Sequence, residues 1–315
     1  MKTLIPILIG SLVVGCGKKQ PVQRTAPKIE SIKPESNPVG PKALIEDPTM
    51  DEAIRGTILV DDIEGKSLEE QVKIINESEL KGELTEDDLA KVTSMDLFGG
   101  GTDEMMKDVA KLKNLTSLDL QNAKITDAGM KQVAKLENLT SLNLGGTKIT
   151  GSGLKELQGL EKLDVLYLHE TSVTDAGLEK ISKLNNLTKL WLQGNNQVTD
   201  LGMKEVAKLK NLNEIYLPPK ITDVGFNELT KLEKLTSLTL RDTQVTDLGM
   251  KEVAKLENLT SLDLSKTQIT DVGLKELFEL RKLTFLDLLD TRVTKTGVHE
   301  LQKALPKCKI THNAK

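Results

Sequence analysis

The stretch LTSLDLQNAKITDAGMKQVAK, residues 115–135, returns as LTSLNLGGTKITGSGLKELQG at 139–159 and as LTSLDLSKTQITDVGLKELFE at 259–279. A sequence that copies itself at a fixed period builds a stacked array, because one unit cannot bury its apolar face alone. The leading leucines fall at Leu115, Leu139, Leu163, Leu187, Leu212, Leu235, Leu259 and Leu283, at spacings of 24, 24, 24, 25, 23, 24 and 24 residues. A degenerate unit, VTSMDLF from Val92, precedes them, and KALPKCKI, 303–310, closes the array.

Each unit reads as a strand followed by a helix. Leu118 and Leu120 alternate with Ser117, Asp119 and Gln121, the period of a short strand with one buried side. Ile125 leads into Thr126 and Asp127, residue types that cap helices, and Met130, Val133 and Leu136 follow at helical spacing. Glycine holds one place in all eight units (Gly129, Gly153, Gly177, Gly202, Gly225, Gly249, Gly273, Gly297), which predicts close backbone approach or a special dihedral at the helix start. A helix of about seven residues does not survive alone in water, so each depends on its neighbours.

The pattern LxxLxLxxTxITDxGL resembles the leucine-rich repeat family, in the variant with Thr where the better-known unit has Asn. The resemblance covers residues 92–310. It implies an α/β fold, a right-handed solenoid with a parallel sheet on the concave side and short helices on the convex side. Nine strands spaced ~4.8 Å apart would span an arc of roughly 40 to 45 Å.

Composition agrees and narrows the function. Among 315 residues there are one Trp, two Tyr and four Phe, so leucine must fill the core. A net charge of -4 without a basic block argues against a nucleic-acid binder, and two cysteines exclude a disulfide scaffold. His169, His299 and His312 lie too far apart in the pattern to form a metal site or a Ser-His relay. Neither GGGT at Gly99 to Thr102 nor GGTKITGSGLK from Gly145 has phosphate-loop spacing. No catalytic residue, metal or cofactor is expected.

The N-terminus carries an address. Residues 1–15 read as a signal peptide: Lys2, then an apolar run from Leu4 to Val14. As a helix that run would reach only ~16 Å, against a hydrocarbon thickness of ~30 Å. Val13, Val14, Gly15 and Cys16 resemble the lipobox of bacterial lipoproteins. The resemblance implies cleavage before Cys16, lipidation of Cys16 and an extracytoplasmic protein anchored to a bacterial membrane. Gly17, in place of the aspartate that retains such proteins in an inner membrane, implies the outer membrane where a cell has one.

Residues 16–50, with six of the ten prolines, read as a disordered linker with an r.m.s. span of roughly 30 to 35 Å. Residues 51–91 read as an N-terminal cap, from an amphipathic stretch around 68–80 and from LTEDDLAKV, which echoes the turn and helix of a unit; a separate small domain is the alternative, although about 40 residues rarely build an independent core. Leu301, Leu305 and Ile310 read as a closing strand with Cys308 buried beside it, and 311–315 as a tail.

Framework positions report folding, so variable concave positions report binding. The outward residue between the strand leucines runs Asp96, Asp119, Asn143, Tyr167, Trp191, Tyr216, Thr239, Asp263, Asp287. Both tyrosines and the single tryptophan share this column, in three consecutive units. The two length irregularities adjoin it, an extra residue within Gln193 to Gln197 and a missing one within Pro218 to Lys220. Val165, His169, Glu170, Lys189 and Glu214 complete the candidate surface. Its composition suits an unidentified protein partner at the cell envelope. Stacking on a glycan or wall polymer, and a purely structural role with rings stabilising neighbouring strands, are the alternatives. The flanking aspartates are either a solvated edge or an acidic rim.

Labelled fatty acid is expected to enter the wild-type chain and not Cys16→Ala; incorporation into both would refute the anchor.

Overall fold

The computed structural model describes residues 44–63 and 84–314. The signal segment, Cys16, most of the linker and the stretch around 68–80 lie outside the described residues. Residues 43–315 make one compact unit. Among the described residues no helix is long and apolar enough to cross a membrane.

Ten strands form one parallel sheet in sequence order: β1 (Ser94–Asp96), β2 (Ser117–Asp119), β3 (Ser141–Asn143), β4 (Val165–Tyr167), β5 (Lys189–Trp191), β6 (Glu214–Tyr216), β7 (Ser237–Thr239), β8 (Ser261–Asp263), β9 (Phe285–Leu288) and β10 (Lys309–His312). Parallel neighbours need a crossover, and in this handedness-constrained geometry each crossover carries a short helix, giving the leucine-rich repeat solenoid. Register never slips: Leu118 pairs Leu142, Leu142 pairs Leu166, Leu166 pairs Leu190 and Leu190 pairs Ile215. These side chains and the second ladder of Leu120, Leu144, Leu168, Leu192 and Leu217 are buried to 1% or less of their surface. One core therefore runs unbroken from Ile45 to Cys308.

The helices start where the sequence places them. Thr126 is extended (φ -122°, ψ -179°) and its hydroxyl accepts the N–H of Ala128 ahead of the helix Asp127–Val133. The following aspartate acts across units. Asp103 accepts the N–H of Thr126 at 2.8 Å and its hydroxyl at 2.6 Å. The same clamp joins Asp127 to Thr150, Asp175 to Thr199, Asp200 to Thr222, Asp223 to Thr246, Asp247 to Thr270 and Asp271 to Thr294. Only Gly151 interrupts it: Thr174 has no side-chain cap bond, and a Cβ on Gly151 would come 2.8 Å from the Gly177 Cα. The recurring glycine follows from the clamp. A Cβ on Gly129, Gly153, Gly202, Gly225, Gly249, Gly273 or Gly297 would stand 2.1 to 2.5 Å from a clamping carboxylate oxygen, so close approach, not a dihedral, selects glycine.

The ends depart from the sequence reading. The first described helix, Pro48–Ile63, begins inside the stretch assigned to the linker, and Ile45, Met50 and Ile54 are core residues. Asp108 explains the early start. It is 3% exposed, accepts the N–H groups of Glu46 and Asp47 at 3.1 and 2.9 Å, and is held ionised by the Lys111 ammonium at 2.6 Å. Burial pushes the other way, but the carboxyl lies below its ordinary value because these donors prevail. LTEDDLAKV forms a helix, Glu86–Lys91, closed by a capping box between Thr85 and Asp88. At the far end Leu301 lies in the helix Lys295–Ala304 and Leu305 caps it, so neither belongs to the closing strand. That strand is β10, which takes in Ile310 and extends to His312, shortening the tail. Cys308 is 4% exposed, and burial raises its thiol.

Gly225→Ala, whose new methyl would meet the Asp200 Cα at 2.8 Å, should lower stability in urea melts by roughly 2 kcal/mol or more. Gly159→Ala, with nothing near its added methyl, should stay within about 0.5 kcal/mol of wild type. Equal effects would contradict the close-approach account.

Candidate functional site

A strand with one face buried offers two outward side chains, and the residue two beyond continues the row. The sheet therefore presents three outward columns. In the first, Ser94, Ser117, Ser141, Ser237 and Ser261 are replaced at β4 to β6 by Val165, Lys189 and Glu214. In the second, Tyr167, Trp191 and Tyr216 stand in register on adjacent strands. The third places His169, Gln193 and Pro218 at the same three units.

The second column shows what the aromatic residues displace. Asp96, Asp119, Asn143, Asp263 and Asp287 each accept, through Oδ1, the N–H two residues ahead, at 2.7 to 3.0 Å. The flanking aspartates are thus turn-closing residues, neither a free solvated edge nor an acidic rim. A tyrosine or tryptophan has no such acceptor. The N–H groups of His169 and Gln193 accordingly have no acceptor among the described residues, nor does that of Arg241 after Thr239. At β6 the difficulty is absent because Pro218 has no N–H.

The rings pack on one another. Tyr167 and Trp191 meet edge to face with centroids 4.5 Å apart and planes at 69°. Trp191 and Tyr216 are 4.4 Å apart at 36°. His169 lies 6.4 Å from Trp191, its ring over the Gly145 backbone where a Cβ would be 2.1 Å away. Glu214 fixes the group: one carboxylate oxygen accepts the Trp191 indole N–H at 2.8 Å and the other pairs with Lys189 at 3.3 Å. That contact raises the Lys189 ammonium above its ordinary value. Burial raises the Tyr216 phenol, which stays protonated. Burial likewise lowers the His169 imidazole, outweighing the opposite pull of Glu170 and Asp119. Two buried atoms here, His169 Nδ1 and Gln193 Oε1, have no hydrogen-bond partner.

Six of the eight residues singled out in the sequence are joined by ring or ion-pair contacts. Val165 shares their face and pairs with Lys189 in register. Glu170 stands apart. It is the left-handed turn residue after β4 (φ 54°), equivalent to Asn122, Asp242, Lys266 and Asp290, and its side chain leans over Gly194.

The irregular turns have a structural reason. In ordinary units a threonine hydroxyl closes the turn, as Thr147 does on Leu144 O and Thr243 on Leu240 O. In the lengthened unit this place falls to Asn195, fully buried, whose amide donates to Leu192 O at 2.9 Å and across to Leu168 O at 2.7 Å, while its oxygen accepts from Thr171. Asn195 thereby ties together the turns beneath Tyr167 and Trp191. Aligning the threonine column would have revealed it. Where the lengthened turn meets the shortened one lies a hollow of about 490 Å³, lined by Gln193, Asn196, Tyr216, Pro219, Thr239 and Arg241 among others. Among the described residues no group of three or more His, Cys, Asp or Glu could hold a metal ion.

The family described as Leucine rich repeat matches residues 113–173 and 223–293, and that described as Leucine Rich repeats (2 copies) matches 161–205. No curated protein matches the chain. Among solved structures, internalin C2 of Listeria monocytogenes is similar at 23% identity and a TM-score of 0.52, over 85% of this chain and 93% of that one. An internalin F from the same species gives 19% identity and 0.36 over 85% and 95%, and a TDR receptor gives 16% and 0.48 over 73% and 44%. At such identities the first likeness speaks to the fold.

A base whose folded value is depressed binds its proton more readily when unfolded. Stability from neutral His169 is therefore present above about pH 6.5 and lost as the pH falls toward the folded value. An NMR titration of His169 should show a midpoint below about 6.5, and one at or above that value would contradict its burial.

Proposed function

The chain belongs to the leucine-rich repeat family, and from that premise we propose that it is a membrane-anchored, non-catalytic module that recognises a protein partner at the cell envelope through Tyr167, Trp191 and Tyr216. Repeat solenoids offer an extended concave surface for this purpose. One observation carries the reading: in β4 to β6 the first and second outward columns together leave the serine and the turn-closing Asp or Asn of most other units, while the positions beneath stay buried and aliphatic.

The exchange trades turn hydrogen bonds for ring contacts. Losing a turn hydrogen bond costs about 1 kcal/mol, and an aromatic pair returns about 0.5 to 1.5 kcal/mol beyond its buried area. The two nearly cancel, leaving half-buried rings and open N–H groups facing the concave space. Trp191 has a ring on each side, so its faces are occupied and its exposed rim suits a protein surface better than a sugar ring. Open backbone donors likewise suit the carbonyl oxygens of a polypeptide. Cys16 and the proline-rich segment behind it support the anchor and envelope location.

With the chain from Gly17 onward as bait in envelope extract, changing Tyr167, Trp191 and Tyr216 to alanine should weaken capture of the partner about hundredfold while the circular dichroism spectrum stays that of the folded solenoid. Undiminished capture would refute the site. Quenching of Trp191 by wall glycan with no protein present would transfer it to the sugar reading.

A further inference from the structure

Four of the five large apolar residues exposed among the described residues occupy one position of the repeat. Leu201, Val224, Leu248 and Val272, each 65 to 73% exposed, are the second residues of the helices starting at Asp200, Asp223, Asp247 and Asp271. The equivalent residues elsewhere are Ala128, Ser152, Ala176 and Thr296, so the fold does not require an apolar side chain there. Each of the four is held outward because its N–H is donated to the cap threonine, as Leu201 donates to Thr199 and Leu248 to Thr246. The result is an apolar row over four consecutive units, carried by the helices and not by the sheet that bears the aromatic strip.

A row of lysines accompanies it. Lys204, Lys251 and Lys275 lie one helical turn beyond Leu201, Leu248 and Val272, and none forms an ion pair among the described residues. The neighbouring Glu205, Glu228 and Glu252 are engaged by Lys208, Lys231 and Lys255 at 2.7, 2.5 and 2.7 Å. An apolar row backed by unpaired cations is the pattern of elements that lie in the headgroup region of a bilayer. Each such lysine near an anionic surface adds attraction.

We propose that this row docks on an anionic lipid surface, turning the aromatic strip away from the membrane. The proposal rests on the envelope reading above for its setting, with Cys16 as the anchoring residue. It does not rest on the lipid for its affinity, so the two readings can fail separately.

The test uses the chain from Gly17 onward, which has the whole compact unit and no lipidated cysteine. It should sediment with vesicles of phosphatidylglycerol and phosphatidylethanolamine in equal parts, and about tenfold less with phosphatidylcholine alone. Leu201→Ser, Val224→Ser, Leu248→Ser and Val272→Ser together should weaken binding about tenfold or more, and Lys204→Gln, Lys251→Gln and Lys275→Gln should abolish the preference for anionic lipid. Trp191 emission should not change on binding. Absence of vesicle binding, or a blue shift of Trp191, would overturn the proposal. So would concentration-dependent dimerisation lost in the serine variant, which would assign the row to a second copy of the chain. Fatty-acid labelling of the full chain reports on the anchor independently.

Discussion

Each stacked unit is fixed to the next by one carboxylate that receives two hydrogens. The aspartate after the cap threonine accepts the N–H and O–H of the following unit's cap, and does so seven times along the array. Charged acceptors make the stronger hydrogen bonds, and six of the seven lie in partly buried surroundings where competition from water is reduced. The clamp explains the cap threonine, the aspartate and the glycine whose missing Cβ admits it. It also holds the helices in the same step as the leucine ladder holds the strands. Register errors are thereby excluded on both faces, and the rings of β4 to β6 can stand 4.4 to 4.5 Å apart without loops to position them.

Because the framework is so regular, departures from it carry information. Tyr167 and Trp191 forgo a turn hydrogen bond that five other units make. Asn195 restores order below them by spanning two turns. Glu214 locks the tryptophan edge and Lys189 into one group. The site is consequently rigid before any partner arrives, which limits the entropy lost on binding.

Much of this was legible in the sequence because a repeat states its own rules. Strand, helix and column assignments follow from period and copy number, and Tyr167, Trp191 and Tyr216 could be aligned without coordinates. Other features required three dimensions. The role of Asp119 and its equivalents depends on a bond to an N–H two residues ahead, and from composition it was indistinguishable from a solvated charge. The latch of Asp108 on residues 46 and 47 joins positions some sixty apart in the chain, so no local pattern announces it, and prolines nearby made that segment read as linker. Leu305 resembled a strand residue because its leucine spacing did not distinguish a helix end from a strand. Glu170 adjoins the strip in sequence, but it is a left-handed turn residue whose side chain leans over Gly194.

The aromatic strip, then, is a place where the framework gives up a bond of its own, and the central claim is that a polypeptide partner occupies it. Hydrogen exchange at the His169 and Gln193 amides, followed on addition of the captured partner, tests this most directly. The account predicts that both amides, open in the free protein, become strongly protected while the equivalent amide of Gln121, already held by Asp119, changes little. Unchanged exchange at His169 and Gln193, with protection confined to other parts of the array, would contradict it.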